Sequence, residues 1–362
     1  MKVSKHHYAL ELAERNCRVF FIEPPDLSYK GITVTPCNDH PLISIVKYRP
    51  VFRGKRFLPD TIYRFLLKRQ VRLLIGKISH KPDVIWCFHG YLFENLKWFG
   101  AAVNIYFAAD QFSHEAIPPE IRSAEITLAV SDTIYERIRL AGGKVFRINH
   151  GLQPLFVRNA KLIFEQGQKK LSGKKIVAGY TGNLRMGALD RQTMMKVIQE
   201  NSDVHFIFWG SFKPNELNAD GEQEKDINQF IQFLSNQSNV DMRGIVNSEE
   251  LQIQMKEADL FWICWKIDEK GIWDGSNSHK ILEYLSTGKP VVSHFVSSYK
   301  DDSVLYMLRD KSNVMYPDLF QKTITLVKEG ESADIVGHRL ETAIQNSYSN
   351  NLSKIAELIS NG

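Results

Sequence analysis

Short apolar runs alternate with stretches of helical periodicity along most of this chain. That alternation predicts parallel sheets covered by helices, an α/β fold. Residues 4–15 read as a helix and 18–23 as a strand whose end is marked by Pro24 and Pro25. Further strands are expected at 84–88, 103–107, 126–130 and 144–148. Ser131 and Asp132 then open a helix through Leu140 that Gly142 and Gly143 end. After His150-Gly151 the pattern lapses into a connecting stretch that lasts to about Ser172. A second series of strands follows at 176–180, 205–209, 240–243, 260–264 and 290–293. The expectation is two successive doubly wound units joined by one crossover, without short repeats or low-complexity segments.

The run from Ser276 to Val292, S-N-S-H-K-I-L-E-Y-L-S-T-G-K-P-V-V, is the most informative segment. Ser276, Asn277 and Ser278 suit a helix start, Ile281, Leu282 and Leu285 give the helix an apolar side, and Gly288 with Pro290 stops it. Its capping end carries His279 and Lys280, with Glu283 one turn on. Free N–H groups at a helix start beside a lysine seat phosphate oxygens. A carboxylate one turn deeper accepts hydrogen bonds from both hydroxyls of a ribose. The competing reading is an ordinary capped helix with a solvated Lys280–Glu283 pair worth a few tenths of a kcal/mol.

The chain has 362 residues, room for two ordinary domains, with 43% hydrophobic and 24% charged residues. Four scattered cysteines match neither a metal site nor a disulfide framework and read as reduced thiols. No signal peptide or membrane-spanning run is legible, so a cytoplasmic protein is expected. The net charge of +5 is unevenly spread, with 23 Lys/Arg against 14 Asp/Glu in residues 1–160. Residues 47–81 hold eleven basic residues and one acid, Asp60. Within them, 59–78 reads as an amphipathic helix mixing Ile62, Phe65, Leu66, Val71, Leu73 and Leu74 with Arg64, Lys68, Arg69, Arg72 and Lys77. That composition suits an anionic membrane surface, at the inner face of the plasma membrane. A helix packed on a sheet with a solvated basic face is the alternative, and no motif supports nucleic-acid binding.

The K…E-Y-L…G-K-P-V-V pattern resembles the donor-side segment of glycosyltransferases with the GT-B fold, particularly glycosyltransferase family 4. The resemblance extends over nearly the whole chain. V-F-F-I-E-P-P from Val19 is similar to the family's second strand, and I-T-L-A-V-S-D-T-I-Y-E from Ile126 to its last N-terminal strand–helix step. I-N-H-G-L from Ile148 through Phe156 resembles the interdomain signature, and V-A-G-Y-T-G-N-L from Val177 the glycine turn opening the second domain. It implies two Rossmann-like domains facing a cleft, 1–158 on the acceptor side and 159–330 on the nucleotide-sugar side. Helices in 331–362 would cross back to the first. Two features depart from the family. Its opening strand and glycine loop are missing before the helix at Ser4. The first of its paired glutamates falls on Gly275, beside Asp274, so only Glu283 carries over.

The implied function is transfer of a hexose-type sugar from a nucleotide-sugar donor to a saccharide or lipid-linked acceptor, with retention, in polysaccharide biosynthesis. No Asp-x-Asp metal clamp occurs and no cofactor is expected; fixed dipoles with a lysine or arginine neutralise the leaving diphosphate. Gly182 lets backbone approach phosphate. Gly182, Asn183, Arg185, Asn277, Ser278, His279, Lys280 and Glu283 are the candidate donor-binding residues. His89 and Asp110, each just beyond a predicted parallel strand where ligands bind in open α/β sheets, are the candidate catalytic residues. The alternatives are a nucleotide-sugar epimerase on the same fold and a donor-binding protein that has lost turnover. The spacing of Gly179 and Gly182 does not match a dinucleotide-binding fingerprint.

Overall fold

The computed structural model describes residues 3–52, 57–110, 112, 116–167, 175–213, 224–267, 277–309 and 312–361. In chain order its first part comprises α1 (Ser4–Glu14), β1 (Val19–Ile22), β2 (Ile32–Pro36), β3 (Ile43–Tyr48), α2 (Asp60–Ile78), β4 (Val84–Cys87), β5 (Val103–Ala108), β6 (Ile126–Ala129), α3 (Asp132–Leu140) and β7 (Val145–Arg147). There follow α4 (Pro154–Gln166), β8 (Val177–Thr181), α5 (Arg191–Glu200), β9 (His205–Trp209), α6 (Glu224–Asn236), β10 (Val240–Gly244), α7 (Ser248–Gln254) and β11 (Leu260–Ile263). The chain ends with α8 (His279–Leu285), β12 (Val291–Ser293), β13 (Tyr306–Met307), α9 (Tyr316–Glu329), α10 (Ala333–Gln345) and α11 (Tyr348–Ser360). Two compact units result: 1–149 with 348–362, and 150–347.

The strands of the first unit form two sheets. β4, β5, β6 and β7 lie side by side in chain order, all parallel. β1 pairs in parallel with β3, and β2 adds antiparallel to the far side of β3. No strand pairing joins the two sheets among the described residues. Helix α1 packs on both pieces: Ala9 and Ala13 cluster with Ile43, Val19 and Phe21, while Tyr8 lies against Trp86 (ring centroids 4.7 Å) and Phe107 (5.5 Å). α11 belongs to this unit, and its Tyr348 ring meets Tyr8 edge-on at 5.0 Å. Strands β2 and β3 were not anticipated. β2 alternates half-buried with exposed positions and ends in a proline, as an edge strand does.

In α2 only Gln70, Val71 and Leu74 are buried. The opposite face carries Ile62, Phe65 and Leu73, each at least 45% exposed, in one stripe with Arg69 and Arg72. The helix therefore presents apolar and basic groups together to solvent, which a merely solvated basic face would not.

The second unit is one parallel six-stranded sheet in the order β10-β9-β8-β11-β12-β13, whose winding reverses between β8 and β11. Its core joins Phe206, Phe208, Trp262 and Phe320. The stretch read as a plain connection after Gly151 contains α4, started by Pro154 and anchored by buried Phe156, Asn159 and Ala160. It is an amphipathic helix of 13 residues, so the expectation of a plain connection is corrected.

A buried ion pair ties α10 to the sheet. Arg339, fully enclosed, donates to both Glu331 carboxylate oxygens at 2.6 Å and to the Val304 and Gly288 carbonyls at 3.1 and 3.2 Å. Replacing Arg339 with methionine leaves that carboxylate without its counter-charge, with the Tyr306 hydroxyl still donating to it, and is expected to cost about 3–5 kcal/mol. Urea unfolding measures it; a loss below about 1 kcal/mol would mean that the pair adds little.

Candidate functional site

In an open parallel sheet, ligands bind beyond the carboxyl ends of the strands where the winding reverses. In the second unit that place is the end of β8 beside β11. Gly182 follows β8 at φ +140° and donates its N–H to the Trp209 carbonyl at 2.7 Å. Gly210 follows β9 at φ +143° and donates to the Gly244 carbonyl, also at 2.7 Å. A Cβ on Gly210 would collide with the Gly182 carbonyl, and one on Gly182 with the Lys280 ammonium. Only glycine permits these turns to touch while a cation rests on the first of them.

Lys280 reaches this point from the first turn of α8. Its ammonium lies 5.5 Å from the centre of the Tyr180 ring and 5.9 Å from that of Trp265. Trp265 is backed by the buried His294 ring, stacked at 5.5 Å. The rings attract the cation without offering it an acceptor oxygen. Burial lowers the Lys280 pKa to about 8, against the opposing pull of Glu283. Burial likewise raises the Glu283 carboxyl to about 7, with Lys280 pulling it down. The pair is thus not a solvated surface contact: Glu283 is only 8% exposed. α8 is fixed to the strand by its next residue, since the Tyr284 hydroxyl accepts the Thr181 N–H at 2.8 Å and its ring stacks on Phe261 at 4.6 Å.

The other candidates of this unit gather around the same turn and helix start. Asn183 accepts the Arg185 N–H on its side-chain oxygen at 2.9 Å, folding the turn back on itself. Arg185 is buried, and its Nε finds no acceptor among the described residues. Asn277 and Ser278 are buried before α8, and His279 is exposed with its ring edge-on to His150 at 6.3 Å. One expectation is corrected: Ser278 holds the N-cap position, but its hydroxyl caps nothing. Ser276, and the acid position at Asp274 and Gly275, lie outside the described residues.

In the first unit, His89 and Asp110 follow the neighbouring parallel strands β4 and β5, and the Asp110 charge acts on the His89 ring. Both side chains are open to solvent. The His89 carbonyl accepts the Cys87 thiol at 3.1 Å, and Lys5 Nζ lies 3.0 Å from His89 Nε2. The imidazole pKa is lowered, by the protein packed around it and then by Lys5, with Asp110 opposing. The loop after His89 is held by one carboxylate. Glu120, fully buried, accepts the N–H groups of Tyr91, Leu92, Phe93 and Glu94 at 2.7–3.1 Å. Tyr91 and Glu94 both take positive φ to make this possible.

Lys5, Glu120, Tyr180, Trp265 and Gly210 were not singled out from the sequence. Gly210 stands just past a predicted strand, a position that could have flagged it. Glu120 carries no local signal, because its partners lie about thirty residues upstream in a loop.

The Lys280–Glu283 pair makes stability depend on pH in a definite sense. Between pH 4.5 and 7 the native Glu283 holds a proton that the unfolded chain has released, so stability falls as pH rises. Between pH 8 and 10.5 the native Lys280 has lost a proton that the unfolded chain keeps, so stability rises. In Glu283→Gln the first slope disappears, and the variant should gain on the wild type steadily from pH 4.5 to 7. Urea unfolding across that range tests it; a constant difference would contradict a raised carboxyl.

No family model matches the sequence, and no curated protein does. Solved structures do match. Sucrose-phosphate synthase from Thermosynechococcus elongatus superposes with a TM-score of 0.66 at 12% identity, covering 98% of this chain and 91% of its own. HepE of Anabaena in complex with UDP gives 0.59 at 16% identity, over 88% and 86%. An α,α-trehalose-phosphate synthase (UDP-forming) from Burkholderia vietnamiensis gives 0.59 at 12%, over 97% and 95%. At these identities the likeness is one of fold, and that fold, two Rossmann-like domains, is the GT-B fold of glycosyltransferases.

Proposed function

We propose that this protein is a glycosyltransferase that takes a sugar from a nucleotide-sugar donor, a uridine diphosphate sugar in the first instance. The reading is carried by the seat of Lys280: a desolvated ammonium against the Gly182 turn at the switch point of the second sheet. Arg185 adds a buried guanidinium whose Nε lacks an acceptor among the described residues. A diphosphate placed there meets two cations that the protein has already stripped of water, so little reorganisation accompanies charge development on the leaving group. Glu283 lies one turn deeper, placed to accept ribose hydroxyls. Asn183, Asn277, Ser278 and His279 complete the proposed donor seat. Transfer with retention needs no metal and no protein nucleophile in this scheme. The choice of uridine follows neighbours described with UDP, one of them also with glucose.

In the first unit, His89 is proposed to touch the donor sugar and Asp110 to orient an acceptor hydroxyl. The acceptor is proposed to be a saccharide or lipid-linked saccharide, used in building surface polysaccharide or glycolipid on the cytoplasmic side. No described helix is long and apolar enough to cross a membrane. The outward stripe of α2, with Ile62, Phe65 and Leu73 among Arg69 and Arg72, supports peripheral contact with anionic lipid through residues 47–81.

Two measurements test these assignments. Lys280→Ala and Glu283→Ala should each weaken UDP binding by roughly 1.5–3 kcal/mol, one to two decades in Kd, with the fold intact. Titration calorimetry giving wild-type affinity in both would remove the donor site from this position. Changing Arg64, Lys68, Arg69 and Arg72 together to glutamine should abolish pelleting with anionic vesicles, each charge contributing on the order of 1 kcal/mol near the surface. UDP binding, which belongs to the second unit, should persist. Wild-type protein that ignores such vesicles at low salt would make α2 an ordinary surface helix.

A further inference from the structure

The start of α1 places a lysine on the candidate catalytic histidine. Val3 donates its N–H to His6 Nδ1 at 3.0 Å, and the His6 ring stacks on Phe21 of β1 at 5.0 Å. This holds the first turn of α1 at the carboxyl end of β1. From there Lys5 projects toward the end of β4, its ammonium 5.8 Å from the Phe21 ring centre and 3.0 Å from His89 Nε2.

The chemistry of that contact has one consistent form. An ammonium has three N–H donors and no lone pair, so it can only donate. His89 Nε2 must accept, and a ring that accepts at Nε2 is neutral and carries its proton at Nδ1. The charged groups that face the ring agree with this. Lys5 disfavours the imidazolium, while Asp110 favours it and is the weaker influence. Lys5 is itself partly desolvated, with Glu23 holding its charge in place. Behind the ring, the Cys87 thiol on the His89 carbonyl and the Glu120 carboxylate under residues 91–94 fix the backbone.

We propose that Lys5 is a positioning residue for His89, occupying Nε2 so that the histidine meets substrate only as a neutral Nδ1–H donor. In this arrangement His89 does not act as a general base, because its one lone pair in the ring plane is engaged. It offers a directed hydrogen bond to a sugar hydroxyl or phosphoryl oxygen instead. The inference deepens the proposed role of His89 and rests on that reading for its meaning, though not for its geometry.

Long-range proton–nitrogen correlation spectra of histidine-labelled full-length protein test it, with His89→Gln to assign the signal. Wild-type His89 should show the Nδ1–H tautomer and titrate below the ordinary histidine midpoint. In Lys5→Met the midpoint should rise and the Nε2–H form become the major one. Lys5→Arg, which still donates, should keep the Nδ1–H form. An Nε2–H pattern in the wild type, or a spectrum and midpoint unchanged by Lys5→Met, overturns the proposal. With a donor sugar in hand, Lys5→Met should lower kcat by about tenfold, the loss of roughly one hydrogen bond, and leave UDP affinity unchanged. If the tautomer shifts as stated while no nucleotide sugar is turned over by the wild type, Lys5 keeps its assignment and the glycosyltransferase reading falls.

Discussion

The second unit is organised around a cation seated where no side chain fits. Lys280 can lie against the turn after β8 only because position 182 has no Cβ, and that turn can lie against the next because position 210 has none. Such a seat is unfavourable for a charged group: it removes water and, among the described residues, supplies the aromatic faces of Tyr180 and Trp265. The structure offsets this in part by neutralisation, visible in the opposite displacements of the Lys280 and Glu283 pKa values toward each other. The remaining penalty is what an incoming anion would relieve. On the proposed reading, phosphate would complete such a site, which is how electrostatic preorganisation differs from a satisfied salt bridge.

The first unit solves a different problem. Its strands form two sheets rather than one, and helix α1 packs on both. Tyr8 on one piece and Ala9 and Ala13 on the other let α1 join the two, and α2 does the same through Val71 and Leu74, clustered with Val46 and Ile85. The same helix start brings Lys5 to the end of β4. The helix thus contributes both packing and a charged side chain.

Much of this was legible. The second series of strands reads directly, because each is a short apolar run ended by glycine or a polar turn, and the sheet buries both faces. Lys280 and Glu283 were singled out from the cap–helix–glycine–strand order of one segment, and Gly182 from the glycine turn in V-A-G-Y-T-G-N-L. What escaped falls into two kinds. β2, β3 and β13 are strands of two to six residues, too few for a clear period, and α4 is an amphipathic helix in a stretch expected to be a plain connection. Glu120 and Lys5 act across the chain: one carboxylate satisfies four amides about thirty residues away, and one ammonium reaches a ring more than eighty positions on. Sequence spacing carries no record of such pairs; only the tertiary fold creates them.

The two units therefore handle charge in opposite ways, and the contrast bears on what each can do in a transfer reaction. A leaving diphosphate needs strong, fixed positive charge, and in the proposed scheme the second unit supplies it with Lys280, desolvated against the Gly182 turn, and the buried Arg185. The reacting sugar needs orientation without added charge, since a full cation beside a developing oxocarbenium centre would oppose it. An imidazole kept neutral by a neighbouring ammonium meets that requirement only if the ammonium stays behind it. Lys5 lies on Nε2, leaving Nδ1 as the ring's only hydrogen-bond donor. On this view the lysine at the start of α1 is useful for what it prevents: it holds the histidine to one proton and one direction.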